Sequence, residues 1–192
     1  MPRGLRLALA GVALAAAVFL ASRGGLPTAA SPEREASAAA AKLARLEGLS
    51  AGDARLDLDD LALRDVTVAM DGARALVIAV ADADGRARFD GQAPKVSYVG
   101  RERFAMERCA GAGFCPEDGV LEALRGVVAA LVHAPRPPGA RILAWQIRVE
   151  RDTAAAGEDH ELGEGTGARR ARASFALRRG EAGWAVAPDP AP

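Results

Sequence analysis

Pro116-Glu117-Asp118-Gly119-Val120-Leu121-Glu122-Ala123-Leu124-Arg125-Gly126-Val127-Val128-Ala129-Ala130-Leu131-Val132, residues 116–132, carries the clearest helical period in the chain. Val120, Leu121, Leu124, Val127, Val128 and Leu131 recur at i, i+1, i+4, i+7, i+8 and i+11. That is one apolar stripe at the helical repeat. Glu117, Asp118 and Glu122 sit near the first turn, where the macrodipole favours acids. Pro135, Pro137 and Pro138 end the segment. His133 falls at its C-terminal end, where an imidazolium suits the dipole, and is expected to cap the helix and not to catalyse.

On the C-terminal side the period shortens to two. From Arg141 onward Leu143, Trp145, Ile147 and Val149 face one way, while Gln146, Arg148 and Glu150 face the other. A polar, Gly-rich loop is expected over 152–167, with Glu158-Asp159-His160-Glu161 solvated inside it. Arg170, Arg172, Ser174 and Arg178 then alternate with Ala171, Ala173, Phe175 and Leu177. A last strand carries Trp184 and Val186, and 188–192 reads as a disordered tail. On the N-terminal side Val66, Val68 and Met70 alternate before the hairpin signal Asp71-Gly72. Ala75–Ala81 reads as a strand covered on both faces, and Asp82-Ala83-Asp84-Gly85 as the next turn. A short strand over 86–89 precedes a long one over 95–109, interrupted at Gly100. The expected fold is α+β: a curved, mostly antiparallel sheet packed on one main amphipathic helix. Leu121, Leu124, Val128 and Leu131 are expected to pack on Trp145, Ile147, Phe175 and Trp184, since each apolar surface must bury somewhere.

The first thirty residues hold Arg3 and Arg6, an uncharged apolar run over 7–21, then Arg23, Gly24, Gly25 and Pro27, without an acid. This is the pattern of a signal peptide or membrane anchor, and the two fates stay open. Either one exports the chain. Ser31-Pro32-Glu33 then opens an Ala-rich helix reaching toward Leu49. The expected division is 1–30 leader or anchor, 31–60 Ala-rich helix and linker, 61–187 α+β domain and 188–192 tail. The expected location is the periplasm, or the outer side of the cytoplasmic membrane with residues 7–21 embedded.

Composition narrows the function. Whole-chain charge is zero, and without the first thirty residues 22 basic residues face 25 acidic, a net of −3. No basic face for nucleic acid is therefore expected. Cys109 and Cys115 are the two cysteines, six positions apart, and in an exported chain such a pair is expected to form a disulfide. Two thiols without a nearby histidine make a poor metal site, and no metal or cofactor is expected. His160-Glu161-Leu162-Gly163-Glu164 lacks the second histidine of a zinc-protease helix. Asp82 and Asp84 hint at a calcium loop, but Arg86 stands where a ligand belongs and no closing glutamate follows.

Phe175-Ala176-Leu177-Arg178-Arg179, a glycine turn and Trp184-Ala185-Val186 resemble the closing hairpin of nuclear-transport-factor-2-like (cystatin-like α+β) domains. The resemblance covers about fifteen residues and implies a sheet wrapped around a helix, with a cone-shaped pocket or a homodimer scaffold. Enzymes of that superfamily place Asp, His or Tyr in the cone, so it points to Tyr98 and Ser97 as pocket residues and transfers no catalytic residue. Without a nucleophile, base and orienter set, the expected function is non-catalytic binding or scaffolding in the cell envelope. A small hydrolase- or isomerase-type pocket enzyme is the alternative. The arginine stripe Arg148, Arg170, Arg172 and Arg178, partly answered by Glu150 and the acidic 158–164 stretch, reads as a solvated charged face, with an anionic-partner site as the alternative.

Overall fold

The structure is a computed structural model that describes residues 31–40, 42–43, 46–109, 113–117, 119–163 and 167–187. The leader or anchor, Ala110–Ala112 of the disulfide loop and the C-terminal tail lie outside the described residues.

Helix α1 (Pro32–Ala40) is followed by β1 (Leu46–Ala51), β2 (Ala54–Asp71), β3 (Arg74–Arg88), β4 (Lys95–Arg108) and the short β5 (Phe114–Pro116). Helix α2 (Glu122–Val132) then leads to β6 (Arg141–Glu150), β7 (Thr153–Leu162), β8 (Arg169–Gly180) and β9 (Gly183–Val186). All nine strands form one sheet in the order β1-β2-β3-β4-β6-β7-β8-β9, with β5 on β4. Neighbours are antiparallel except β4 and β6, which run parallel from Lys95↔Ala144 to Gly100↔Val149. A parallel pair needs a crossover, and β5 with α2 lies in it.

The expectation of a sheet resting on one main helix is corrected here. Strand accounts for 64% of the described residues and helix for 14%, and the sheet curls into a half-barrel. Helix α2 spans eleven residues and touches strands at both ends of the sheet, β1 and β9, as well as β2, β4 and β6. Leu121, Leu124, Val128 and Leu131 share one buried cluster with Trp145 and Ile147, and the partly buried Phe175 and Trp184 pack against it.

Three local departures explain the shift toward β. The 116–132 pattern yields a helix only from Glu122, because Gly119 and Leu121 take positive φ (118° and 56°) and Phe114–Pro116 pairs with β4. The Ala-rich helix stops at Ala40, and the segment read as its continuation and as linker supplies β1 and the start of β2. The 152–167 stretch is strand β7 as far as Leu162, with Ala154, Ala156, Glu158 and His160 turned inward.

Two glycines read as breakers lie inside strands instead. A Cβ on Gly85 would sit 2.3 Å from the Asp57 carbonyl oxygen, and one on Gly100 would sit 2.3 Å from the Tyr98 hydroxyl. Each glycine admits a close neighbour and leaves the strand unbroken. On β6 a register shift between Ile142 and Ala144 turns Ile142 inward beside Trp145, in place of Leu143.

Candidate functional site

The curl carries its polar chemistry in two places on the inner face. At the start of α2, Leu121 occupies the N-cap position without a side-chain cap. The first N–H groups of a helix lack intrahelical acceptors, and here β4 provides one. Glu102, 2% exposed, accepts from the backbone N–H of Ala123 (3.3 Å) and of Leu124 (3.2 Å). Its Oε1 also accepts from the Tyr98 hydroxyl at 2.5 Å. Burial pushes the Glu102 carboxyl above its usual range, against the pull of these three donors. Burial, and then the Glu102 charge, push the Tyr98 phenol far upward.

At the far end of α2 the partner is a cation. Arg136 donates to the carbonyls of Leu131 (2.5 Å), Val132 (3.2 Å) and Ala134 (3.0 Å), at and just past the end of the helix; the Leu131 carbonyl also accepts from the Ala134 N–H at 3.1 Å. Its guanidinium is held by fully buried Glu158 at 2.7 Å. Glu158 Oε2 also accepts from Trp145 Nε1 at 2.8 Å. Phe89 stacks on the Trp145 ring, centroids 5.4 Å apart. His160 Nδ1 lies 3.4 Å from Glu158 Oε1 without hydrogen-bond geometry, and is buried without a partner among the described residues.

Both arrangements are built around side chains buried on the inner face, with Trp145 also lining a recess on the outer side. The Tyr98 hydroxyl fills the volume that a side chain at position 100 would take. Ser97 and Tyr98, paired by the resemblance as pocket residues, are successive on β4 and face opposite sides. They do not share a pocket. His160, read as solvated, is buried. His133 is the exposed C-cap residue of α2, 3.1 Å from Asp53. Cys109 and Cys115 are joined, Cα atoms 5.7 Å apart, as expected of this pair of cysteines. Among the described residues no cluster of His, Cys, Asp and Glu could hold a metal.

One accessible recess is on the outer face. Ser97, Gln146, Gly157 and Ser174 stand in direct register across β4, β6, β7 and β8. Around them is a trough of about 640 Å³ that Arg148 and Arg172 also line, within the size range of ligand clefts. It exists because the outward residues of β7 at this level are Ala155 and Gly157, while long side chains rise from β6 and β8. Two of the four stripe arginines thus line a recess. Arg170 lies opposite Glu161, and Arg178 opposite Thr153. Comparison with protein families, curated proteins and solved structures returns no match.

Proposed function

We propose that this chain is a non-catalytic binding domain of the cell envelope that engages an anionic partner on the outer face of β4, β6, β7 and β8. One observation carries this reading: the buried carboxylates Glu102 and Glu158 are committed to the ends of α2, whereas Arg148 and Arg172 line a recess on the outer face that is accessible to a partner. The Cys109–Cys115 bond supports an oxidising compartment, and the Arg3/Arg6 start with the apolar run over 7–21 supports export as the route. Among the described residues no helix is long and apolar enough to cross a membrane.

Two measurements test it. Retention of the full chain on an anionic dextran-sulfate matrix at low salt is expected to drop in an Arg148→Glu, Arg178→Glu double variant of unchanged Tm. Equal retention removes the face from the reading. A reporter active only outside the cytoplasm, fused after Pro192, is expected to signal, and a silent fusion removes the compartment.

A further inference from the structure

The sheet ends on an edge that is only partly closed. Strand β9 pairs with β8 from Leu177↔Val186 to Gly180↔Gly183, and the Ala187 N–H adds one more bond, to the Ala176 carbonyl at 2.7 Å. Along β8 the main-chain groups point alternately to its two sides. Arg179 donates its N–H to the Asp152 carbonyl at the start of β7, so the odd-numbered residues of β8 bond toward β7 and the even-numbered ones point away. Arg170, Arg172 and Ser174 therefore turn N–H and C=O toward a side where no strand lies among the described residues. Such a row is a template for an added strand.

The next segment in the chain is Pro188-Asp189-Pro190-Ala191-Pro192, which lies outside the described residues. Continuing the β8–β9 register sets Asp189 opposite Ser174 and Ala191 opposite Arg172. The two N–H groups of the segment then face the two nearest open positions of β8. Pro188, Pro190 and Pro192 fall where an N–H would point away from β8, a placement that edge strands tolerate. A slip of one residue would turn all three prolines onto β8 and leave no donor. The faces agree as well. Pro188 and Pro190 stand opposite the half-buried Phe175 and Ala173 of the inner face, and Asp189 shares the outer face with Ser174 and Arg172. Ala187, Asp189 and Ala191 each precede a proline and are thereby biased to extended backbone, which lowers the entropy lost on docking. We propose that residues 188–192, expected from composition as a disordered tail, dock on β8 as a continuation of β9. They close the edge over Ser174 and Arg172 against a strand of a second copy, which an open edge would accept.

Amide hydrogen exchange, followed by NMR on the full chain in mild detergent and on a chain ending at Ala187, tests this. The Ser174 and Arg172 amides are expected to exchange about tenfold more slowly in the full chain than in the shortened one, with the β7-facing Phe175 amide unchanged. Asp189→Pro removes the donor that faces Ser174 and is expected to release both amides. Pro190→Ala adds only an outward N–H and is expected to keep them protected. Equal exchange in the full and shortened chains overturns the proposal, and protection that survives Asp189→Pro overturns its register. Protection that rises with protein concentration assigns the edge to a second copy and overturns the segment as its occupant.

Discussion

At Glu102 burial and hydrogen bonding pull against each other. Its carboxyl titrates higher in the folded chain than its ordinary 4.5. The folded state therefore binds the extra proton, and stability falls as pH rises from about 4.5 through the raised value. Glu102→Gln is expected to abolish that downward slope in a Tm-against-pH series; an unchanged slope sinks the assignment. The variant also turns an amide N–H₂ toward donors now served by a carboxylate, at a cost of about 1–3 kcal/mol at neutral pH. Asp57 runs the other way. The Gly48 backbone N–H and Arg88 lower its carboxyl, so its contribution is present above its ordinary value and lost as pH falls through the lowered one. At the opposite end of α2, Glu158→Ala leaves the Arg136 guanidinium, 12% exposed, without its partner. A loss of about 3–5 kcal/mol in chemical denaturation is expected; a loss under about 1 kcal/mol would mean that water replaces the carboxylate.

Among the elements, α2 shows how a local rule changes sign in context. Glycine inside a helix costs about 1 kcal/mol relative to alanine, so Gly126→Ala would stabilise an isolated helix. In this chain a Cβ at that position falls 2.4 Å from Trp184 Cδ1. The substitution is therefore expected to destabilise by about 1–3 kcal/mol, and Trp184→Leu in the same chain to relieve most of it. A Gly126→Ala chain with a raised Tm would place Trp184 off the helix. Leu124→Ala, at a fully buried position, is expected to cost about 2–5 kcal/mol. Legibility in the sequence follows the same logic. Alternation in Phe175/Leu177 and in Trp145/Ile147 was readable because each inward side chain is apolar. Strand β7 was not, since Ala154 and Ala156 bury little, and Glu158 and His160 look solvated until Arg136 and Trp145 are seen to meet Glu158 on the inner face. Gly85 and Gly100 misread as breaks for a related reason: a close approach by Asp57 or Tyr98 is tertiary and leaves no local signature. The outer trough was half legible, because the arginine stripe stood in the sequence while its Ser97–Gln146–Gly157–Ser174 row depends on strand order.

For the molecule as a whole, the parallel β4–β6 pair joins two halves, β1–β5 and β6–β9, that are otherwise local meanders. Helix α2 ties the same halves a second time, with Glu102 of β4 holding its first turn and Glu158 of β7 holding Arg136 behind its last. Trp145 belongs to the second half, yet β4 is its neighbour through Val96 and Phe89 stacks on it. With the halves pinned at this many points, neither buries its apolar face when the other opens, and unfolding is expected to be two-state. Denaturant melts followed by tryptophan fluorescence, which reports Trp145 and Trp184, and by far-ultraviolet dichroism, which reports all nine strands, are expected to coincide. Reducing Cys109–Cys115, whose short loop removes about 2–3 kcal/mol of unfolded-state freedom, is expected to shift both curves together to lower denaturant. Fluorescence that falls ahead of the dichroism, in wild type or after reduction, would show the β6–β9 half opening by itself and would reduce α2 to a lid on the sheet in place of its brace.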